Sequence, residues 1–295
     1  MNEKDYAPFN PSLALISGVL AVSTGAIFAR LAEAPALVIA AYRVGLASLI
    51  LAPIAWWQVR DELLSLEKKE YLLAGLAGFF LALHFGTWIS SLNYTSVANS
   101  VVLVNTNPIW VGVLTPLISK DRLSWMTRIG IVISVIGGVI IGFGDFAIGR
   151  QALWGDFLAL LGSICAAMYL LLGRNLRQKL SLLAYIVLCY GSAAIILWSF
   201  VLALHLPARG FSPGTYSAFV GMAVISQIIG HSSYNWALKW FSASLIAVSL
   251  LGEPIGATIL AYIIFGEPLT WTKFVGGALI LSAIYLAARG EKTSV

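Results

Sequence analysis

The run SLIAVSLLGEPIGATILAYIIF, residues 244–265, decides how the rest of the chain is read. Its 22 residues hold a single charged side chain, Glu253. An α-helix of that length spans about 33 Å, enough to cross the ~30 Å hydrocarbon core of a bilayer. Pro254 follows the carboxylate directly. Its ring removes a backbone donor and releases a carbonyl one turn upstream, so a helix break is expected beside the buried charge. A soluble helix of this length would carry charge on one face along its whole extent.

Working outward, nine more apolar runs of comparable length occupy approximately 12–30, 36–58, 71–92, 96–118, 124–143, 153–173, 182–205, 215–238 and 271–288. The breaks between them carry helix-ending chemistry, such as Glu33-Ala34-Pro35, Leu206-Pro207 with Gly210, and Gly266-Glu267-Pro268. The link around Asn93-Tyr94-Thr95 is short enough to make its two helices antiparallel neighbours. Composition agrees: 59% of residues are hydrophobic, 11% are charged, and mean hydropathy is +0.89. A soluble domain keeps about a quarter of its residues charged. Long unbroken runs satisfy their own backbone groups in lipid as helices, not as barrel strands. The fold class is therefore an all-α membrane protein of ten transmembrane helices. Residues 1–11 lack the basic and cleavable features of a signal peptide, so the first run is expected to be retained.

Basic residues set the orientation. Lys4, Arg60, Lys68, Lys69, Lys120, Arg122, Arg128, Arg174, Arg177, Lys179, Lys239, Arg289 and Lys292 would share one side, against Arg30, Arg150, Arg209 and Lys273 on the other. An asymmetry of 13 to 4 places both termini in the cytoplasm of a bacterial inner membrane. The net charge of +5 forms no continuous stripe, so no nucleic-acid partner is expected. Cys165 and Cys189 lie in apolar runs without metal-ligand spacing and read as packing residues. No cofactor and no metal are expected.

Shifting the chain by 146 residues aligns it with itself without gaps from the third run through the fifth. The identities include Gly75/Gly221, Leu92/Leu238, Ser96/Ser242, Pro108/Pro254, Ile109/Ile255, Leu123/Leu269, Trp125/Trp271 and Gly130/Gly276, with Gly45/Gly191 extending the register into the second run. Residues 1–147 and 148–295 thus form two five-helix repeats. Five is odd, so the second repeat enters the membrane from the opposite face. Inverted repeats of this kind exchange conformations and supply alternating access.

The segment from Leu251-Gly252-Glu253-Pro254 to Phe265-Gly266-Glu267-Pro268-Leu269-Thr270, continued by Gly276-Gly277-Ala278-Leu279-Ile280, resembles the Glu-Pro and Gly-Glu-x-Leu pattern of the drug/metabolite transporter superfamily, EamA branch. The resemblance implies ten helices in two inverted repeats and a transport function. In the first half the sequence departs from that pattern, with Asn107-Pro108 for Glu-Pro and Lys120-Asp121-Arg122 for Gly-Glu-x. The aromatic-rich interior is similar to that of the YddG-type aromatic amino-acid exporters, which is what points to export.

Polar side chains at bilayer depth are costly and default to function. Glu253, Pro254 and Pro108 are the candidates for proton coupling or helix breaking, and Arg43 is the buried base, expected to pair with a carboxylate or to snorkel. In the third run His84 and Trp88 share one face. In the eighth, Gln227, His231, Tyr234 and Asn235 follow α-helical spacing on one stripe. The third and eighth runs are related by the repeat, so both stripes are read as facing one central cavity. Tyr169 in the sixth run and Asn105 and Trp110 in the fourth complete the candidate substrate-binding set. Asn99, Ser100, Thr106 and Asn107 are spread too widely around the fourth run to share its face. Trp56, Trp57, Trp154, Trp198 and Trp240 read as interface anchors.

Aromatic walls with few charges suit amino acids with aromatic or bulky apolar side chains, or similar metabolites, carried by a monomer. A broad drug or nucleoside-type effluxer of the same fold is the alternative within the transporter class. An intramembrane enzyme lacks a nucleophile–base or metal motif here, and a channel lacks a filter sequence or charged rings.

Overall fold

The computed structural model describes residues 9–95, 97–118, 123–142, 150–266 and 269–292. The departing first-half motif Lys120-Asp121-Arg122, the pair Glu267-Pro268 and the N-terminal residues 1–8 lie outside the described residues. Among the described residues there are ten helical rods and no strand. They are α1 (Pro11–Leu31), α2 (Ala36–Ser65), α3 (Lys68–Ser91), α4 (Val97–Val104 and Asn107–Ile118), α5 (Trp125–Gly142), α6 (Arg150–Arg177), α7 (Leu182–Ala203), α8 (Pro213–Gly221, Met222–His231 and Ser232–Ala237), α9 (Ala243–Leu250 and Gly252–Phe265) and α10 (Trp271–Lys292). Six of them, α1, α2, α3, α6, α7 and α9, are long and apolar enough to cross a membrane over one continuous stretch. The others are shorter or interrupted.

Local chemistry sets where the helices begin. Ser181, Ser212 and Ser242 cap α7, α8 and α9 by accepting from the backbone N–H three residues on, at 3.1–3.2 Å. Glu67 and Glu70 form a reciprocal capping box at the start of α3. The expected break near Pro254 falls at Leu251, and its counterpart at Asn105-Thr106 precedes Pro108. Both prolines sit in the first turn of the following segment, where a missing donor costs least.

The surface is the reverse of a soluble protein's. Leu49, Leu117 and Trp57 are 72%, 79% and 83% exposed, while Arg43 and Gln227 are 2% and 0% exposed. Apolar area on that scale fits a lipid solvent. Trp56 and Trp154 are also exposed. Trp198 is half-buried, its ring 5.2 Å from Tyr42 and its indole against Gly45.

The rods pack in related couples. α5 lies along α10 and α2 along α7; α3 packs on α6 and α7, and α8 packs on α1 and α2. α3 and α4 touch mainly at their hairpin, where Ser91 and Ser100 hydroxyls meet at 2.6 Å. α6 packs against both of them.

Two close crossings repeat the sequence offset. A Cβ on Gly162 of α6 would sit 3.0–3.4 Å from Thr87, His84 and Trp88 of α3. A Cβ on Gly18 of α1 would sit 3.1–3.3 Å from Gly230, Ser233 and Tyr234 of α8. Positions 84, 87 and 88 advanced by 146 are 230, 233 and 234. Such backbone approach is the usual means of locking helices in lipid, where no hydrophobic driving force holds them together.

At one end of the bundle Glu62 accepts from the Ser181 amide at 2.7 Å, and Lys179 lies 3.8 Å from Glu70. Arg174 and Arg177 donate to carbonyls at the C-terminal end of α8. Lys68, Lys179, Lys239 and both arginines therefore share one end, as the basic-residue pattern requires.

Candidate binding cavity

An interior cavity of about 40 Å³ lies where α1, α2, α3, α4, α6, α8 and α9 converge. Its wall contains Arg43, His84, Phe85, Trp88, Asn105, Asn107, Tyr169, His231, Tyr234 and Glu253, with Val22, Val104, Ala166, Leu170 and Leu250 between them. The wall is doubled. Phe85 and His231, Trp88 and Tyr234, Val104 and Leu250, and Asn107 and Glu253 are four couples at the 146-residue offset. The α-helical donors to the Val104 and Leu250 carbonyls would be residues 108 and 254, both prolines, so the breaks in α4 and α9 leave main-chain acceptors at the cavity.

Several polar wall residues are held from behind. The Arg43 Nε donates to Gln227 Oε1 at 2.7 Å, and the guanidinium lies 4.0 Å above the centre of the Phe85 ring. The expected carboxylate pairing is not made: an amide and an aromatic face hold the base instead. His84 Nδ1 lies 2.9 Å from the Gly162 carbonyl, which only accepts, so Nδ1 carries a proton. The His84 and Trp88 rings are near-parallel with centroids 6.0 Å apart, and Phe85 meets His231 at 5.1 Å. The Tyr234 hydroxyl bonds His231 Nδ1. Asn235 Nδ2 donates to the hydroxyls of Tyr169 and Tyr190.

The structure thus brings His84, Trp88, Asn105, Tyr169, His231, Tyr234, Glu253 and Arg43 to one cavity. Gln227 and Asn235 stand behind the wall, fixing Arg43 and Tyr169. Asn235 follows Tyr234 directly in the α-helical segment Ser232–Ala237 and so points about 100° around the helix from it; the separation of Gln227 from His231 has a cause in the backbone. Met222–His231 is a π-helix, whose i→i+5 bonding abandons the 3.6-residue spacing on which a single stripe was drawn. Trp110 is half-buried in the main core and outside the wall. Pro108 and Pro254 are buried next to the wall and act through the carbonyls they release. The side chain of Asn99 lies outside the described residues; Ser100 and Thr106 bond to Ser91 and Ser163. Tyr190 and Phe85 were not singled out from sequence. Phe85 carried a signal as the offset partner of His231, and Tyr190 carried none.

Two buried polar atoms on wall residues lack partners, the Trp88 indole Nε1 and Asn107 Oδ1, one a donor and the other an acceptor. Buried unsatisfied groups are uncommon and call for an occupant or a function. A volume of about 40 Å³ holds roughly three waters. Ligand pockets typically run ~300–1,000 Å³, several times this volume. Among the described residues no three His, Cys, Asp or Glu side chains group as metal ligands.

Comparison with known proteins follows the same twofold division. The model of the EamA-like transporter family matches residues 11–143 and again residues 153–289. An uncharacterized transporter of Archaeoglobus fulgidus is 26% identical over 200 residues, covering 66% of this chain and 69% of that protein. The uncharacterized transporter YyaM of Bacillus subtilis is 24% identical over 259 residues, covering 84% and 83%. A crystal structure superposes with a TM-score of 0.78 at 16% identity, covering 96% of this chain and 98% of its own; it speaks to the fold alone.

Proposed function

The chain belongs to the EamA-like transporter family, and on that premise we propose that it exports amino acids with aromatic or other bulky apolar side chains across the bacterial inner membrane by alternating access. The observation that carries the proposal is the doubled cavity wall, with offset-related residues from both halves facing one enclosed volume. Two five-helix halves, 1–147 and 148–295, inverted relative to each other, would close that volume alternately on either side. The two matches of one family model and the repeated glycine crossings favour this reading. The cluster of Lys68, Arg174, Arg177, Lys179 and Lys239 marks the cytoplasmic end, and with it both termini. One chain supplies the whole wall, so a monomer is the transporting unit.

Trp88, Tyr169, Tyr234 and Phe85 offer ring faces and edges to an apolar side group. Phosphorylated sugars and nucleotide sugars require several cationic groups, and the wall offers only Arg43.

The test is counterflow of a panel of labelled amino acids in proteoliposomes. A carrier saturates and is accelerated by substrate on the opposite side. Trp88→Ala is expected to weaken the apparent affinity for aromatic substrates by ~10-fold, in line with the loss of one aromatic contact. Equal rates for wild type and Trp88→Ala would remove that ring from the site. Flux that neither saturates nor shows acceleration would remove the carrier mechanism.

A further inference from the structure

We infer that Arg43 and Glu253 are the two poles of the binding site: Arg43 takes the carboxylate, and Glu253 the ammonium group, of a zwitterionic solute. The inference rests on the reading of the central cavity as the transport site, and adds which residue recognises which end.

The argument starts from where the two halves differ. At three offset-related couples the wall keeps its chemical type: Val104 and Leu250 are aliphatic, while Phe85 with His231 and Trp88 with Tyr234 are rings. The charges break that match. Glu253 stands opposite Asn107, and Arg43 stands opposite Cys189, which is fully buried. Duplicated walls that are otherwise alike have thus acquired a base from the first half and an acid from the second.

Charges at this depth are expensive unless paired, and two charges kept for architecture alone would pair with each other. Arg43 and Glu253 do not. They feel each other's field across the cavity, yet no ion pair joins them among the described residues. Glu253 has no hydrogen-bond partner among the described residues. Arg43 uses its Nε on Gln227 and one face on Phe85, and its Nη groups make no hydrogen bond among the described residues. A carboxylate takes two parallel N–H donors from such a fork.

An amine alone would satisfy Glu253 and leave Arg43 bare; an acid alone would do the reverse. One solute carrying both groups satisfies both poles. Asn107 Oδ1, without a partner among the described residues, adds an acceptor to the wall.

The full chain in proteoliposomes tests this with three related competitors of labelled phenylalanine counterflow: phenylalanine, phenethylamine and 3-phenylpropionate. Wild type is expected to prefer phenylalanine over either analogue by at least ~100-fold, because each analogue strands one buried pole. Glu253→Gln is expected to bring 3-phenylpropionate to within ~10-fold of phenylalanine while phenethylamine stays rejected. Arg43→Gln should give the opposite order. Where Arg43→Gln fails to fold, Arg43→Lys, which keeps the charge and loses the fork, should weaken phenylalanine and leave phenethylamine unchanged. Wild-type carriage of phenethylamine as good as that of phenylalanine overturns the two poles and leaves the carrier standing. So does an unchanged ranking in Glu253→Gln. Absence of saturable flux for every member of an amino-acid panel overturns the transport reading itself.

Discussion

Replacing Gln227 separates what holds Arg43 from what Arg43 holds. Gln227 is fully buried and accepts the Arg43 Nε at 2.7 Å. Gln227→Leu fills the same space but removes the acceptor. A hydrogen bond to a charged group is worth ~1.5–3 kcal/mol, and the Phe85 face 4.0 Å away supplies about 2 kcal/mol that stays in place. The guanidinium therefore remains buried, less firmly oriented. Converted at ~2–4 °C per kcal/mol, the loss lowers the apparent melting temperature in detergent by roughly 3–12 °C. Gln227→Glu does the opposite at the same atom. It creates a buried ion pair of good geometry, so the melting temperature is expected to hold or rise. The same pair occupies Arg43, and the apparent affinity for an amino acid is expected to fall at least ~10-fold, or 1.4 kcal/mol. The two variants thus dissociate stability from binding. Melting by intrinsic tryptophan fluorescence and counterflow in liposomes, on one preparation, read both. A Gln227→Leu protein that melts with wild type, or a Gln227→Glu protein with unchanged affinity, would refute the reasoning.

Two further outcomes can be checked without a substrate. Gly137 and Gly138 are adjacent in α5, yet a Cβ at Gly137 would meet the Gly276 carbonyl of α10 at 2.7 Å, whereas one at Gly138 has nothing within 4 Å. Gly137→Ala is expected to cost ~1–3 kcal/mol and Gly138→Ala to be neutral or stabilising by up to ~1 kcal/mol, read as opposite shifts in melting temperature. Cysteines placed at Lys68 and Lys179 are expected to react with an impermeant maleimide from the same face of oriented membranes, with native Cys165 and Cys189, 3% and 0% exposed, remaining silent; labelling from opposite faces would break the topology.

How much of this was legible beforehand depended on which property the residues expose. The helical spans could be read because lipid imposes a run length that few other solvents demand, and the break beside Glu253 could be read because proline removes a donor wherever it stands. The central cavity was legible through His84, Trp88, His231 and Tyr234, since the repeat puts the third and eighth helices in equivalent places. What stayed hidden was backbone register and partner choice. Gln227 left the stripe because α8 switches to π bonding over Met222–His231, which no spacing rule at 3.6 residues per turn anticipates. Arg43 chose an amide and a ring over a carboxylate, and Trp198 packed its ring against Tyr42. Such choices are fixed by which helices end up adjacent across long sequence separations, and the one-dimensional pattern does not hold that information.

The narrowness of the central void bears on how the protein will behave on the bench. Space for roughly three waters admits no amino acid, so every binding event includes the work of parting the walls. A dissociation constant measured on the whole population is the intrinsic one divided by the fraction already parted. Weak binding in vitro would therefore be no sign of a poor fit. Substitutions at distant seams such as the α5–α10 crossing, touching no ligand, should tighten or loosen every ligand by the same factor, whereas substitutions at the void should reorder them.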